Sequence, residues 1–129
     1  MKKCIFILLF PLLLSACADK NNYEQAILEE MKAEQDVKDY KIEPEHIAKC
    51  VVDLSSKEMP GLFPFDPARL TAYKNYTKML TLRKAKDPKK TMLELRTSFG
   101  SAQAFADAHS NYTESMMECL SAVLLEVEK

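Results

Sequence analysis

Apolar residues in this chain fall into two regimes. Near the start they form a run over residues 4–14, broken only by Pro11. After that they recur at intervals of three and four, the repeat of a helix with one buried face. The first run rises only ~16 Å as a helix, too little for a hydrocarbon core of ~30 Å. Behind the cationic start Met1-Lys2-Lys3 it reads as the core of a secretion signal rather than a membrane span.

The second regime predicts the elements. Tyr23, Ile27, Leu28, Met31 and Val37 place a first helix over 23–40. Pro44 suits the first turn of a second helix, where Ile47, Cys50, Val51 and Leu54 share a face. Residues 58–67 hold Pro60, Gly61, Pro64 and Pro67 and predict a break. Asp66-Pro67 then reads as cap and first position of a third helix, with Leu70, Tyr73, Tyr76, Thr77 and Leu80 inward and Lys74 and Lys78 outward. Asp87-Pro88 repeats that device for a short fourth helix carrying Met92, Leu93, Leu95 and Phe99, and Gly100 is a natural stop. Ser101 can cap a long last helix, with Phe105, His109, Tyr112, Met116, Cys119, Leu120, Val123, Leu124 and Val127 inward. The expected fold is all-α, a small bundle of four to five helices.

Composition agrees: two glycines, no tryptophan and seven methionines, with no alternating pattern that would predict strands. Charge is unevenly spread. Residues 18–66 hold six lysines against twelve carboxylates, residues 67–96 nine cations against two, and residues 97–129 one lysine against five carboxylates. The middle is basic and both flanks are acidic.

The apolar run ends in Leu14-Ser15-Ala16-Cys17. After a Lys-Lys start and an apolar core, this tetrapeptide resembles the lipobox of bacterial lipoproteins. The resemblance implies removal of residues 1–16, lipid on Cys17 and a membrane-anchored product. Ala18 follows the cysteine where an Asp would retain an enteric-type lipoprotein in the inner membrane, so the outer membrane, facing the periplasm, is the expected location; the inner membrane stays open. Residues 17–22 read as the lipidated cysteine and a polar tether, its last five residues reaching only ~17 Å, and residues 23–129 as one helical domain.

With Cys4 in the signal and Cys17 lipidated, Cys50 and Cys119 remain, on inward faces of different helices. An even pair in an oxidising compartment reads as a disulfide. Two readings compete with it. His46 and His109, on the faces of the two cysteines, offer a zinc site, and either cysteine offers a reactive thiol. Neither has compact ligand spacing or a third partner, so no metal and no cofactor is expected.

Two stretches are candidate interaction surfaces. Leu62, Phe63 and Phe65 place apolar side chains in a loop, either to plug one end of the bundle or to dock a partner or membrane surface. Lys84, Lys86, Lys89 and Lys90, beside Arg83, crowd the junction of the third and fourth helices. They either balance the acidic flanks or form a patch for anionic lipid, cell-wall polymer or an acidic partner. No nucleic-acid-binding motif is present, and none of G-x-S-x-G, H-E-x-x-H or a glycine-rich phosphate loop occurs, so neither nucleic-acid binding nor an enzyme is expected.

In format the chain is similar to the helical pilotins of type II secretion, which are lipid-anchored, all-α and able to carry one disulfide, and which hold a short partner segment in a helical groove. That similarity implies an adaptor or assembly factor that binds the membrane through its lipid and another envelope protein through its surface. A lipid or small-ligand module built on Met- and Tyr-lined helices is the alternative, and a spacer role against the cell wall a third.

Overall fold

The computed structural model describes residues 10–129, with side chains from Cys17 onward. Among the described residues there are six α-helices and no strand: α1 (Phe10–Ala33), α2 (Gln35–Asp39), α3 (Pro44–Ser55), α4 (Pro67–Leu80), α5 (Pro88–Phe99) and α6 (Ala102–Val127). Single 3₁₀ turns follow α3 and α4. No helix of this set is long and apolar enough to cross a membrane.

The predicted stops and starts are made by the expected atoms. Asp66 accepts a hydrogen bond from the Ala68 amide, Asp87 from that of Lys90 and Ser101 from that of Ala104. Each satisfies a backbone donor that a helix start leaves without an internal partner. Gly100 closes α5 at φ +100°, the left-handed region that a side chain disfavours.

Two boundaries differ from the sequence expectation. Residues 18–22, read as a tether, are helical and belong to α1. They form about one and a half polar turns without an apolar stripe, and the helix persists because it is docked further on: Tyr23 is fully buried, and Asp19 lies 3.7 Å from Lys74 on α4. The first helix also ends at Ala33 rather than near residue 40. Glu34 turns extended, and the short α2 follows to bring Val37 and Ile42 into the core.

The helices form a ring. α1 packs on α3 and α4, α3 on α6, and α5 bridges α4 to α6. The core is the expected one on α1 (Tyr23, Ile27, Leu28 and Met31) and wider than expected on α3, where Ala48, Val52 and Ser55 join Ile47 and Val51. On α6 the buried stripe is Ala108, Tyr112, Ser115 and Cys119. His109, one position off that stripe, faces solvent, as does Val127; both were expected to pack inward.

Buried hydroxyls are paired. The Tyr23 and Ser55 hydroxyls lie 2.9 Å apart, and Ser55 Oγ donates to the Val51 carbonyl. Burial pushes the Tyr23 phenol well above the ordinary tyrosine range, and that of Tyr112 up to about 12. A covalent cross-link closes the ring: Cys50 on α3 is disulfide-bonded to Cys119 on α6, with 6.0 Å between their Cα atoms. Both cysteines are therefore committed. His46 and His109 are exposed, and among the described residues no group of three His, Cys, Asp or Glu is placed to hold a metal ion.

Candidate functional site

The ring has a gap. α4 and α6 lie on opposite sides of it and meet at its floor, where Asn111 bonds to Tyr76, while the faces they turn toward each other above it are made of short side chains. On α4 these are Ala68, Thr71, Ala72 and Asn75; on α6 they are Ala104, Asp107, Ala108, Asn111 and Ser115. Helices approach to about 8–10 Å when their side chains interlock. These two are instead held apart by α5 and α3, and small residues leave the space between them empty.

The result is an open groove of about 1090 Å³. Its floor is Leu54, Tyr76 and Phe99, with Pro60 and Pro67 at one end. Asn111 fixes the floor, its side-chain amide donating to the Ser55 carbonyl at 2.9 Å and to the Tyr76 hydroxyl at 2.8 Å. Burial raises the Tyr76 pKa against the opposing pull of that bond, so the floor stays neutral. Tyr76 packs edge-on against Phe99, which stacks on Phe105 at 5.6 Å. The rim is acidic: Glu58, Asp107, Glu114 and Glu118 line it against one cation, Lys57. An apolar floor with an anionic rim is complementary in charge and polarity to a cationic, amphipathic surface.

The loop before α4 stands beside this groove. Gly61 takes φ +100°, and Arg69 gathers the carbonyls around it. Its Nε donates to Pro60 at 2.8 Å, and its Nη2 to Met59 at 3.2 Å and to Gly61 at 2.9 Å. Asp66 accepts from the Leu62 amide at 3.1 Å in addition to its capping bond, and these two backbone donors hold its carboxyl below the usual range. The loop is thus fastened at both ends by charged side chains. What it displays is apolar: Leu62 is 95% exposed, Phe63 54% and Phe65 50%. The expectation that these side chains plug the bundle is not met, because Met59, only 4% exposed, does that work.

The basic segment is elsewhere. Arg83, Lys84, Lys86, Lys89 and Lys90 are all exposed, and among the described residues none has a carboxylate within 4.0 Å. Lys84 borders a hollow with Glu29, Glu30 and Thr81. Cys17 is exposed on α1. Comparison with protein-family models, with curated proteins and with solved structures gives no match.

Sequence reasoning missed the groove. Its walls are alanine, serine, threonine and asparagine, which give no apolar periodicity to read. The available signal was negative: α4 and α6 each carry a row of small residues at helical spacing opposite their large ones.

Proposed function

We propose that the protein is a lipid-anchored adaptor of the bacterial envelope, acylated on Cys17, facing the periplasm from the outer membrane, and holding a segment of another envelope protein in the groove between α4 and α6. The observation that carries this reading is the groove itself. At about 1090 Å³ it stands at the top of the range of about 300–1,000 Å³ for small-molecule pockets, and it is open rather than enclosed. Its small-residue walls admit an amphipathic helix or extended strand, a recurring mode of peptide recognition. Glu58, Asp107, Glu114 and Glu118 add the preference for a basic segment, and so weigh against an anionic lipid as occupant. The role is pilotin-like in format: anchor, compact helical body and one peptide site.

The test is to place a photo-crosslinking residue at Ala68, an exposed wall position, and to recover adducts from intact envelopes. A single protein is expected, joined through one basic segment, and lost when Ala104→Trp fills the groove or Glu114→Lys reverses its rim. Adducts that survive both substitutions, or that carry lipid in place of protein, would overturn the adaptor reading.

A further inference from the structure

The position of residues 62–65 relative to the chain's N-terminal segment says what covers them. α1 and α4 run parallel: Asp19 meets Lys74, and the Tyr23 ring lies 5.9 Å from Tyr73 and 5.5 Å from Tyr76. That register puts Cys17 opposite the first turns of α4. The loop that precedes α4 is then within about 10 Å of Cys17 along the bundle axis, at ~1.5 Å per residue. From Cys17 the described part of α1 continues back to Phe10.

We propose that Leu62, Phe63 and Phe65 insert into the interfacial region of the bilayer that holds the lipid on Cys17, as a second contact that fixes how the domain sits. This rests on the anchoring part of the proposed function and adds to it. Three features of the loop fit a bilayer better than a protein surface. It ends in side chains only, with Leu62 almost wholly exposed. The carbonyls of Met59, Pro60 and Gly61 are already bonded to Arg69, and Asp66 occupies the Leu62 amide. Backbone polar groups that leave water unpaired are costly, so the bonded carbonyls at the base of the loop, together with that of Phe63, which accepts from the Asp66 amide, lower the cost of approaching the head-group boundary. Finally, the Arg69 and Asp66 bonds hold the loop in place before contact, so little order remains to be imposed. Lipid on Cys17 fixes one point of the domain, and buried apolar surface at a second point adds binding and sets its orientation.

The chain has no tryptophan, so a single introduced indole reports its own surroundings. Phe63→Trp tests the loop, and Tyr40→Trp, exposed just beyond α2, is the control. Full-length protein purified from membranes is reconstituted into vesicles of phosphatidylethanolamine with phosphatidylglycerol, with bromine on the acyl chains. Quenching several-fold stronger at 63 than at 40 is the expected result. Equal, weak quenching at both positions in vesicle-bound protein overturns the proposal. So does shielding of the position-63 indole without vesicles together with a doubled mass in native mass spectrometry, since a second copy then covers the loop. Mass analysis of the same sample separates the two readings. Acylated Cys17 with an unquenched loop sinks this inference alone, whereas an unacylated chain with a quenched loop sinks the lipid-anchor reading and with it the loop's role as a second contact, leaving the loop as the membrane contact itself.

Discussion

The two ends of the bundle carry opposite surfaces. One end has Leu62, Phe63 and Phe65, held by Arg69 and Asp66 and close to Cys17. The other has Arg83, Lys84, Lys86, Lys89 and Lys90, solvated and without close carboxylates among the described residues. Lys84 lies at the level of Glu29 and Glu30 on α1. That is about 20 Å from Cys17 along the axis at ~1.5 Å per residue, well beyond the screening length of ~8 Å in physiological salt. A bilayer seated on the loop is out of electrostatic reach of the lysines. Of the two candidate surfaces the sequence offered, the aromatic one is therefore the one that the proposed bilayer contact uses. The basic one faces away, toward soluble partners or merely toward the acidic flanks.

The disulfide belongs to the basic half. Ser55 lies at the level of Tyr23, and α3 runs antiparallel to α1, so Cys50 and its bond to α6 sit toward the end away from the loop. Near the loop, α6 is held instead by Asn111 and by the stacking of Phe99 on Phe105. Cys50→Ala with Cys119→Ala is expected to lower stability by about 4 kcal/mol, the chain-entropy value for a loop of this size. Hydrogen exchange is expected to rise most in α6 after Tyr112, while the loop amides keep their protection. Uniform loss of protection along α6 would show that the two ends are not separately held.

A smaller effect distinguishes the loop from an ordinary turn. Gly61 and Gly100 share φ +100°. A Cβ on Gly100 meets nothing within 4 Å, whereas one on Gly61 falls 2.9 Å from the Arg69 backbone nitrogen and from its Cβ. Gly100→Ala is expected to cost about 1–2 kcal/mol, the left-handed penalty for a residue with a side chain. Gly61→Ala carries the same penalty and must also move α4's first turn or give up the Arg69 bonds, so urea denaturation is expected to rank it lower. Equal losses would mean that Arg69 does not fix the loop.

How much of this was legible follows from what each feature is made of. Helix starts at Asp66, Asp87 and Ser101 and the stop at Gly100 are local events, written in one to three adjacent residues, and were read correctly. The disulfide followed from cysteine parity and the compartment expected from Leu14-Ser15-Ala16-Cys17. Extension of α1 through residues 18–22 was not legible, because Asp19, Lys20, Asn21 and Asn22 have no apolar stripe and are held by a contact to α4 distant in sequence. His109 was placed inward because it stands three residues before Tyr112, yet the stripe that packs passes through Ala108. The groove was hidden for a general reason. A cavity is the absence of large side chains on two helices at once, and no single segment records it.

The smallest effect expected concerns two carboxyls held low by different means. At the loop end Asp66 is lowered mainly by amides of Leu62 and Ala68; further toward the basic end Glu94 is lowered by Lys78, 2.6 Å away. Both groups lie at the surface, Glu94 exposed and Asp66 partly so. For each, a depressed folded pKa means that the contribution is present above the unfolded value of about 4 and is lost as pH falls through the folded one. Salt separates them. Backbone bonds do not depend on a mobile counter-charge, whereas an exposed ion pair is screened. Carboxyl titration by carbon NMR is expected to show Asp66 unmoved between low and high salt and Glu94 rising toward its ordinary value. Below the Asp66 transition the Leu62 amide is expected to exchange faster while amides in α5 do not. If Asp66 moves with salt as Glu94 does, its carboxylate is not held by the loop backbone, and the rigidity that suits residues 62–65 to a membrane is lost with it.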